Sequence, residues 1–425
     1  MDDLMNASLT MRHSSPPALA LDEPSAGVRV GSALAALTIV TIPLGPLLIT
    51  VGTRALPVYW SQIAFAALCF HLIFSSLAAR ARRAAAPPMR VGLALSLITL
   101  MGVGLISPRD ELAAVLAYAN FSTAVLGGVL VGRLWAYDRA ERFGTIDKAW
   151  YIFVLTAAAQ LLSSFGNAQS FTELHQNSVT PWGESNFVAG VIVVASLLVL
   201  ARLADTASPW ILGIPIVCAC AVALATLSRG ALLAAGVGVA TYLWALGRRP
   251  FSKFALRVTA LAVPIVLLMA LNGVTSIRSQ VNSQVFANID ARWRLYETAL
   301  GEFRASPIIG TGWASLRQVS ETGQSTFAHN VVFSFLQIGG LGGLAFLCIV
   351  AVFSIVAIRR FPRLASPILG ALAVSMTDPF LESYVAGLLF WAIIWLGASR
   401  IVRLDAEAVP VEPPTRLHGN AAGRS

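Results

Sequence analysis

The composition of this 425-residue chain excludes an ordinary soluble protein, because 56% of its residues are hydrophobic and only 12% are charged. The formal net charge of +9 comes from basic residues dispersed among short polar segments, which is typical of membrane topology rather than of nucleic-acid binding. One helical crossing of the hydrocarbon core uses about 20 apolar residues, so this length accommodates about twelve crossings. We therefore expect an all-α, polytopic integral membrane protein with no nucleic-acid partner.

The predicted elements begin with a polar, proline-containing tail over residues 1–30, which we expect to be disordered and cytoplasmic. Apolar runs then predict about twelve spans, which form a bundle over residues 31–402. The runs are 31–52, 56–79, 89–106, 111–135, 148–166, 186–204, 208–228, 229–247, 254–274, 330–358, 364–378 and 384–402. The tenth is long enough for a short surface helix before a span that starts near Gly339. A second disordered cytoplasmic tail is predicted over 403–425.

The distribution of basic residues predicts the orientation of these spans. Of the 30 Lys and Arg residues, 22 fall on the side that carries both termini and 8 on the other side. Cytoplasmic loops of membrane proteins carry such an excess of positive charge. Both termini are therefore expected to be cytoplasmic.

One long segment on the outer side, residues 275–329, is predicted to be a large extracytoplasmic loop between spans 9 and 10. Within it, Ala291 to Ala305 has the spacing of an amphipathic helix, with Asp290 as its predicted N-cap and Pro307 beyond its end. Such a helix should lie at the membrane surface. Its predicted apolar face consists of Trp293, Tyr296, Ala299, Leu300 and Phe303.

Polar residues that the topology sends to the outer face converge at span ends and in this loop. They are Asn186, Arg229, Arg292, Arg294, His329, Asp378 and Glu382. Arginine binds phosphate through two parallel hydrogen bonds, although a snorkelling arginine at a helix end is an alternative interpretation. Gly230 would let a ligand approach the backbone closely, and the turn 307–312 could present backbone N–H groups to an anion.

His329 borders the outer surface near these arginines, where a neutral imidazole could take a proton from a hydroxyl group. His71, inside the second span, is instead assigned to packing. Asp378 and Glu382 could orient a base or hold the hydroxyl groups of a sugar, or they could be simply solvated. The outer face carries no D-x-D motif and the four cysteines lie in apolar runs, so we expect no metal, no disulfide and no cofactor.

Four motifs in a fixed order resemble the O-antigen ligase and polymerase family of bacterial membrane glycosyltransferases. The motif-bearing region is predicted to be residues 180–384, and the four motifs cover roughly residues 180 to 350. The motifs are Gly183-Glu184-Ser185-Asn186; Ser228-Arg229-Gly230; Arg292 with Tyr296 and then Pro307 to Gly312; and His329-Asn330 followed by Gly339-Gly340-Leu341-Gly342. One departure is Tyr296, which stands where this family usually has Trp.

The resemblance implies a GT-C-like fold and a metal-independent, inverting glycosyltransferase in the bacterial cytoplasmic (inner) membrane, with its active site on the outer face. The donor would be a glycan on a polyprenyl diphosphate such as undecaprenyl diphosphate. The acceptor would be lipid A core, in a ligase that completes lipopolysaccharide, or another lipid-linked glycan, in a polymerase that builds an exopolysaccharide.

The resemblance also implies roles for single residues. Arg229 and Arg292 would bind the diphosphate, His329 would activate the acceptor hydroxyl, and Asp378 would be its acidic partner. Support would come from Glu382, Asn186, Arg294 and Tyr296. The alternative from another class is a transporter or flippase for sugars or lipid-linked glycans, which commonly places ionisable groups in the middle of spans. Here the span interiors are almost free of them.

Overall fold

A computed structural model describes most of the chain, namely residues 26–51, 54–80, 89–106, 111–137, 144–166, 179–204, 208–246, 272–273, 276, 285–313 and 328–407. In the first half, the helices are α1 (Ala26–Val40), α2 (Trp60–Arg80), α3 (Met89–Gly102), α4 (Glu111–Tyr137) and α5 (Thr145–Gly166). In the second half they are α6 (Ser185–Leu203), α7 (Pro209–Thr226), α8 (Arg229–Leu246), α9 (Val285–Ala305), α10 (Val331–Gly339), α11 (Leu341–Arg360), α12 (Ala365–Ser375) and α13 (Tyr384–Glu407). Two short antiparallel hairpins pair β1 (Pro46–Val51) with β2 (Arg54–Tyr59), and β3 (Val179–Thr180) with β4 (Gly183–Glu184).

Several of these helices have the length and hydropathy of membrane spans. Within the described residues, four are long and apolar enough to cross a bilayer, over Ala26–Leu44, Ala114–Ala136, Ser185–Leu203 and Leu341–Arg360. Four shorter apolar helices cover Trp60–Ser75, Ala94–Leu105, Trp210–Thr226 and Tyr384–Gly397. A mainly helical membrane protein is what the composition predicts. The total of about twelve spans stays a prediction, and the ninth predicted span lies outside the described residues except for 272–273.

The ends of the first two predicted spans are wrong, because residues 46–51 and 54–59 form strands β1 and β2 instead of helix. Pro46 lies opposite Tyr59 and Val51 lies opposite Arg54. A short apolar run does not distinguish a strand from a helix by periodicity. Gly45 turns the chain out of the helical region with a φ of 74°, at a point where an added Cβ would lie 2.4 Å from Pro181 Cβ.

The helical boundaries also extend into both predicted tails. Helix α1 begins at Ala26 rather than near Gly31, and α13 continues to Glu407, five residues past the expected end of the bundle at 402. His71 Nε2 lies 3.0 Å from the carbonyl oxygen of Gly27, a contact between α2 and the first turn of α1. This is the structural role that the sequence predicts for His71.

Close helix packing joins the first half of the chain to its last helix. An added Cβ at Gly128 of α4 would lie 2.8 Å from the backbone nitrogen of Ala392, and one at Gly132 would lie 2.5 Å from the carbonyl oxygen of the same residue in α13. Small residues allow helices to approach in this way in membranes. The α4–α13 pair therefore forms the centre of the buried core.

Two further helix pairs place the polar residues of the second half. Helix α8 packs against α12, and α9 packs against α10. The beginning of α8, the residues before α10 and the turn after α12 are thereby gathered at one end of the bundle. The tenth predicted run has the expected form, since α10 ends at Gly339 and the apolar α11 follows it.

Candidate functional site

Arg229 is the first residue of α8 and follows a sharp break in the chain. Leu227 ends α7 in the left-handed region, with a φ of 47°. The Ser228 hydroxyl oxygen accepts a hydrogen bond of 3.2 Å from the backbone N–H of Ala231 and donates one of 3.5 Å to the carbonyl oxygen of Asn186. Ser228 thus caps α8 and fastens it to the beginning of α6, which fixes where the Arg229 side chain leaves the helix.

His329 lies in a second strained turn, immediately before α10. Its φ is 51°, which is uncommon for a residue other than glycine. The Asn330 side-chain oxygen caps α10 by accepting hydrogen bonds from the N–H groups of Val332 and Phe333, at 3.0 and 3.4 Å. Asn330 Nδ2 also donates to the carbonyl oxygen of Met376, at 3.3 Å. The histidine turn is therefore tied to the turn between α12 and α13.

That α12–α13 turn brings the acidic group and one arginine to the histidine. Arg292 Nη1, from α9, donates a hydrogen bond of 3.1 Å to the carbonyl oxygen of Thr377. The Thr377 hydroxyl donates to Asp378 Oδ2 at 3.0 Å. Asp378 Oδ1 lies 4.0 Å from His329 Nδ1, which is too long for a hydrogen bond but close enough for an electrostatic interaction.

The electrostatics of the group favour a neutral histidine. Burial lowers the pKa of His329 below its ordinary value of 6.5, and the charge of Arg292 lowers it further, whereas the Asp378 carboxylate raises it. Arg229 lies within electrostatic range of both Arg292 and Asp378. Two cations, one carboxylate and one imidazole thus lie together although they are up to 149 residues apart in sequence, from 229 to 378. Their chemistry is suited to binding an anion next to a proton acceptor.

Gly230 differs from its sequence interpretation. A Cβ added there would lie 2.5 Å from Thr377 Oγ1 and 2.6 Å from Asp378 Oδ2. The close approach that glycine permits is therefore made by the protein's own threonine and aspartate. The expectation that Gly230 leaves room for a ligand is wrong for this face of α8, because the Asp378 side chain fills that room.

In the turn 307–312, three backbone N–H groups already have partners within the protein. Gly310 N–H donates to Ser306, Thr311 N–H to Gln337 and Gly312 N–H to Ile338, at 2.9, 2.8 and 3.2 Å. The bonds of Thr311 and Gly312 fasten the turn to the end of α10, so these three N–H groups are not available to an anion.

Helix α9 begins at Val285, so the prediction of Asp290 as its N-cap is wrong and Asp290 lies inside the helix. Tyr296 stacks on Phe333 of α10 with ring centroids 4.9 Å apart, which makes it part of the α9–α10 contact. Arg294 is exposed on another side of α9. Trp293 is 61% exposed and therefore lies away from the buried side of α9.

A polar contact that the sequence did not reveal fixes the far end of α9. Glu302 Oε2 accepts hydrogen bonds from Gln337 Nε2 of α10 and from the Thr311 hydroxyl, the latter at 3.0 Å. Glutamate and glutamine at these positions resemble ordinary surface residues in the sequence. A helical-wheel comparison of Glu302 with Tyr296 and Ala299, which lie toward the same side, is the signal that could have found it.

Glu382 and Asn186 take different places around this group. The Glu382 carboxylate is fully buried and faces Ser334 of α10, and this burial raises its pKa to about 7. Glu382 is therefore not a solvated residue, and it lies toward α10 rather than between the arginines. Asn186 lies beside Ser228 at the beginning of α6, next to the break that precedes Arg229.

The fold and this group of side chains define a helical membrane protein with a basic, histidine-containing site at the ends of its helices. Residues 214–348 match the family model described as O-antigen ligase. This match confirms, over about a third of the chain, the resemblance that the motifs indicate. The segment includes Arg229, Arg292 and His329, whereas Asn186, Asp378 and Glu382 lie outside it. No curated protein matches the chain.

Proposed function

We propose that the chain transfers a glycan from a polyprenyl diphosphate to an acceptor hydroxyl on the outer face of the bacterial inner membrane, in the synthesis of a cell-surface polysaccharide. The observation that carries the proposal is the turn between α12 and α13. Arg292 binds this turn, and its Asp378 lies beside His329 and Arg229. A cationic pair next to a neutral imidazole matches the needs of a reaction with a diphosphate leaving group.

Arg229 and Arg292 are the diphosphate ligands in this proposal. A planar guanidinium binds two phosphate oxygens at once, and its charge offsets the negative charge that develops as the diphosphate leaves. Both arginines belong to elements that are fixed in place, α8 by its Ser228 cap and α9 by its contacts with α10. No metal is required in this scheme, since the two guanidinium groups take the part that a divalent cation plays elsewhere.

His329 is the general base. The acceptor oxygen attacks the anomeric carbon, the bond from that carbon to the diphosphate oxygen breaks, and the acceptor proton passes to the imidazole. Attack from the side opposite the leaving group inverts the anomeric configuration. A pKa of His329 below its ordinary value keeps the imidazole unprotonated at pH 7, so that it can accept this proton. Asp378 positions the ring and stabilises the imidazolium that forms.

The apolar helices supply the rest of the arrangement. The polyprenyl chain of the donor needs a lipid environment, and the exposed apolar side chains of the span-like helices provide it. The site then lies at the outer membrane–water boundary, with both termini on the cytoplasmic side. The acceptor is lipid A core in a ligase and a second lipid-linked glycan in a polymerase. Deleting the gene and separating envelope glycans on a gel distinguishes them, because a ligase mutant loses all attached glycan and a polymerase mutant keeps single repeat units.

Substitutions in a complemented deletion strain test the chemistry. We expect His329→Ala to lower transfer by about 10² to 10⁴ while the protein still accumulates in the membrane. Arg292→Lys should also impair transfer, because lysine keeps the charge but loses the two-pronged contact. Arg359→Lys, an exposed arginine at the end of α11, is the matched control and should leave the product unchanged. Normal amounts of product from His329→Ala would contradict the proposal.

A further inference from the structure

Three aromatic side chains form a continuous row beside the cationic site. The Trp293 and Tyr296 rings meet edge to face, with centroids 5.7 Å apart and planes inclined by 76°. Tyr296 in turn stacks on Phe333, with planes inclined by only 18°. Aromatic contacts of this kind hold rings in defined orientations. The row therefore fixes the Trp293 ring, and its exposed surface is presented to the surroundings in a set direction.

The side of α9 that carries Trp293 is mixed, with Leu300 two turns further on and charged residues beside it. Glu297 lies one turn further along the same side, and Arg304 lies on that side in the last turn; both are exposed. The buried side of the helix is formed by Ala299 and its neighbours. A tryptophan that anchors a helix in lipid lies on the apolar face with other apolar residues, whereas the side of α9 with Trp293 also carries the exposed Glu297 and Arg304. An exposed aromatic ring with adjacent carboxylate and guanidinium groups suits a ligand that has both apolar C–H faces and hydroxyl groups.

The position of the row relates it to the reacting groups. Trp293 directly follows Arg292, and Phe333 lies in the first turn of α10, four residues after His329. In the proposed reaction Arg292 binds the diphosphate, to which the first sugar of the donor is covalently attached. The sugars that follow must leave the site past the residues next to Arg292. Trp293 is the exposed residue at that position.

We propose that Trp293, backed by Tyr296 and Phe333 and flanked by Glu297, is a sugar-binding platform for the glycan of the lipid-linked donor. A pyranose ring stacks its C–H face on the indole, and the Glu297 carboxylate accepts hydrogen bonds from ring hydroxyls. This inference rests on the proposed function, because it takes the donor diphosphate to be bound at Arg292. Trp293 would then determine which donor glycan binds, although it does not belong to the residues that carry out the transfer.

The test compares Trp293→Leu, which keeps apolar bulk, with Trp293→Tyr, which keeps an aromatic face. Purified variants in lipid nanodiscs are assayed with lipid-linked glycans and acceptor extracted from the deletion strain, and each substrate is varied in turn. Because an aromatic contact contributes about 0.5–1.5 kcal/mol, we expect Trp293→Leu to raise the KM for the donor about threefold to tenfold, with kcat much less affected. Trp293→Tyr should restore most of the donor affinity.

Two controls distinguish a sugar contact of Trp293 from a lipid contact. Trp210→Leu changes a tryptophan that is 86% exposed at the beginning of α7, and it should leave both KM values unchanged. Brominated lipid in the nanodiscs should lower the fluorescence of the wild type and of Trp293→Phe by the same absolute amount, because the platform faces water and Trp293 contributes nothing to the quenched signal. Equal donor KM values for the leucine and tyrosine variants, an effect on the acceptor KM alone, or lipid quenching that depends on Trp293 would each overturn the platform. An active His329→Ala variant would instead refute the proposed function.

Discussion

His329 combines an unusual backbone with an unusual environment. Its left-handed φ of 51° directs the imidazole toward Asp378 and the arginines rather than along α10, and Asn330 holds this turn by bonds at both ends of its side chain. Strained residues persist only where the surrounding structure determines them, and they cluster at functional sites. The strain here is thus offset by a cap on one helix and a bond to the end of another.

The pH dependence of transfer should report this environment. Since transfer requires the neutral imidazole, activity is retained at neutral pH and falls as the pH drops through the pKa of His329, which lies below 6.5 because of burial and Arg292. Asp378→Asn removes the one group that raises this pKa, so the acid limb of the variant should move to still lower pH while its maximal rate decreases. A pH–rate profile of kcat/KM for both proteins measures this. An acid limb that stays in place or moves to higher pH would contradict the electrostatic pairing.

At the scale of elements, α9 and α10 act as one rigid unit. Tyr296 and Phe333 join them near the site, while Glu302 joins them again through Gln337 at the other end. Arg292 and Glu302 are ten residues apart, or about 15 Å along the helix. The two fixed points, Tyr296 and Glu302, are six residues or about 9 Å apart and prevent α9 from pivoting. The Glu302 carboxylate therefore helps to determine where Arg292 lies relative to His329.

Glu302 is therefore predicted to be a positioning residue. Glu302→Ala removes the shared acceptor of Thr311 and Gln337, and we expect kcat to fall about 10- to 100-fold through misplacement of Arg292, with the protein still present in the membrane. Glu302→Gln keeps an acceptor oxygen and should recover most of kcat. The assay is initial rate against donor concentration for both variants at matched protein amounts. If the glutamine variant is as slow as the alanine variant, the hydrogen bonds that Glu302 accepts from Thr311 and Gln337 are not what supports the rate.

Part of this arrangement could be predicted from the sequence, and the reason is topological. Arg229 and His329 stand at the ends of long apolar runs, so the side of the membrane to which each belongs follows from counting charges. Thr377, Gln337 and the filling of the space over Gly230 depend on contacts between distant segments, which no local pattern encodes. The β1–β2 hairpin was missed because its apolar residues continue those of the neighbouring helices without a polar break.

On the scale of the whole molecule, a second polar cluster stabilises the end opposite the site. Arg202, in the last turn of α6, makes two bonds to the Asp147 carboxylate of α5, at 3.1 and 3.2 Å. The Trp135 indole N–H of α4 donates to the same carboxylate at 2.9 Å, and the guanidinium lies 5.5 Å from the Trp135 ring centroid. Three consecutive helices are thus joined by one buried carboxylate.

Loss of this carboxylate should destabilise the protein without changing the chemistry of the folded fraction. Asp147→Ala leaves Arg202 buried without its partner, which costs about 3–5 kcal/mol, so Tm in detergent should fall clearly. The double variant Asp147→Ala with Arg202→Met removes the stranded charge and should recover part of the loss. Thermal unfolding and the rate per folded molecule provide the measurement. A transfer rate that drops with no change in Tm would show that this end of the bundle influences the site directly.

The short helix α12 has a consequence for where the reaction occurs. Its 11 residues rise only about 16 Å, roughly half of the hydrocarbon thickness. The turn with Thr377 and Asp378 therefore follows a helix that is too short for a full crossing. Under the proposed function, this turn lets water and polar side chains reach the depth of the donor headgroup. The long isoprenoid chain of the donor then does not have to leave the lipid. Moving such a chain out of the lipid would cost about 0.8 kcal/mol for each methylene exposed to water. The membrane itself therefore helps to hold the donor at the site.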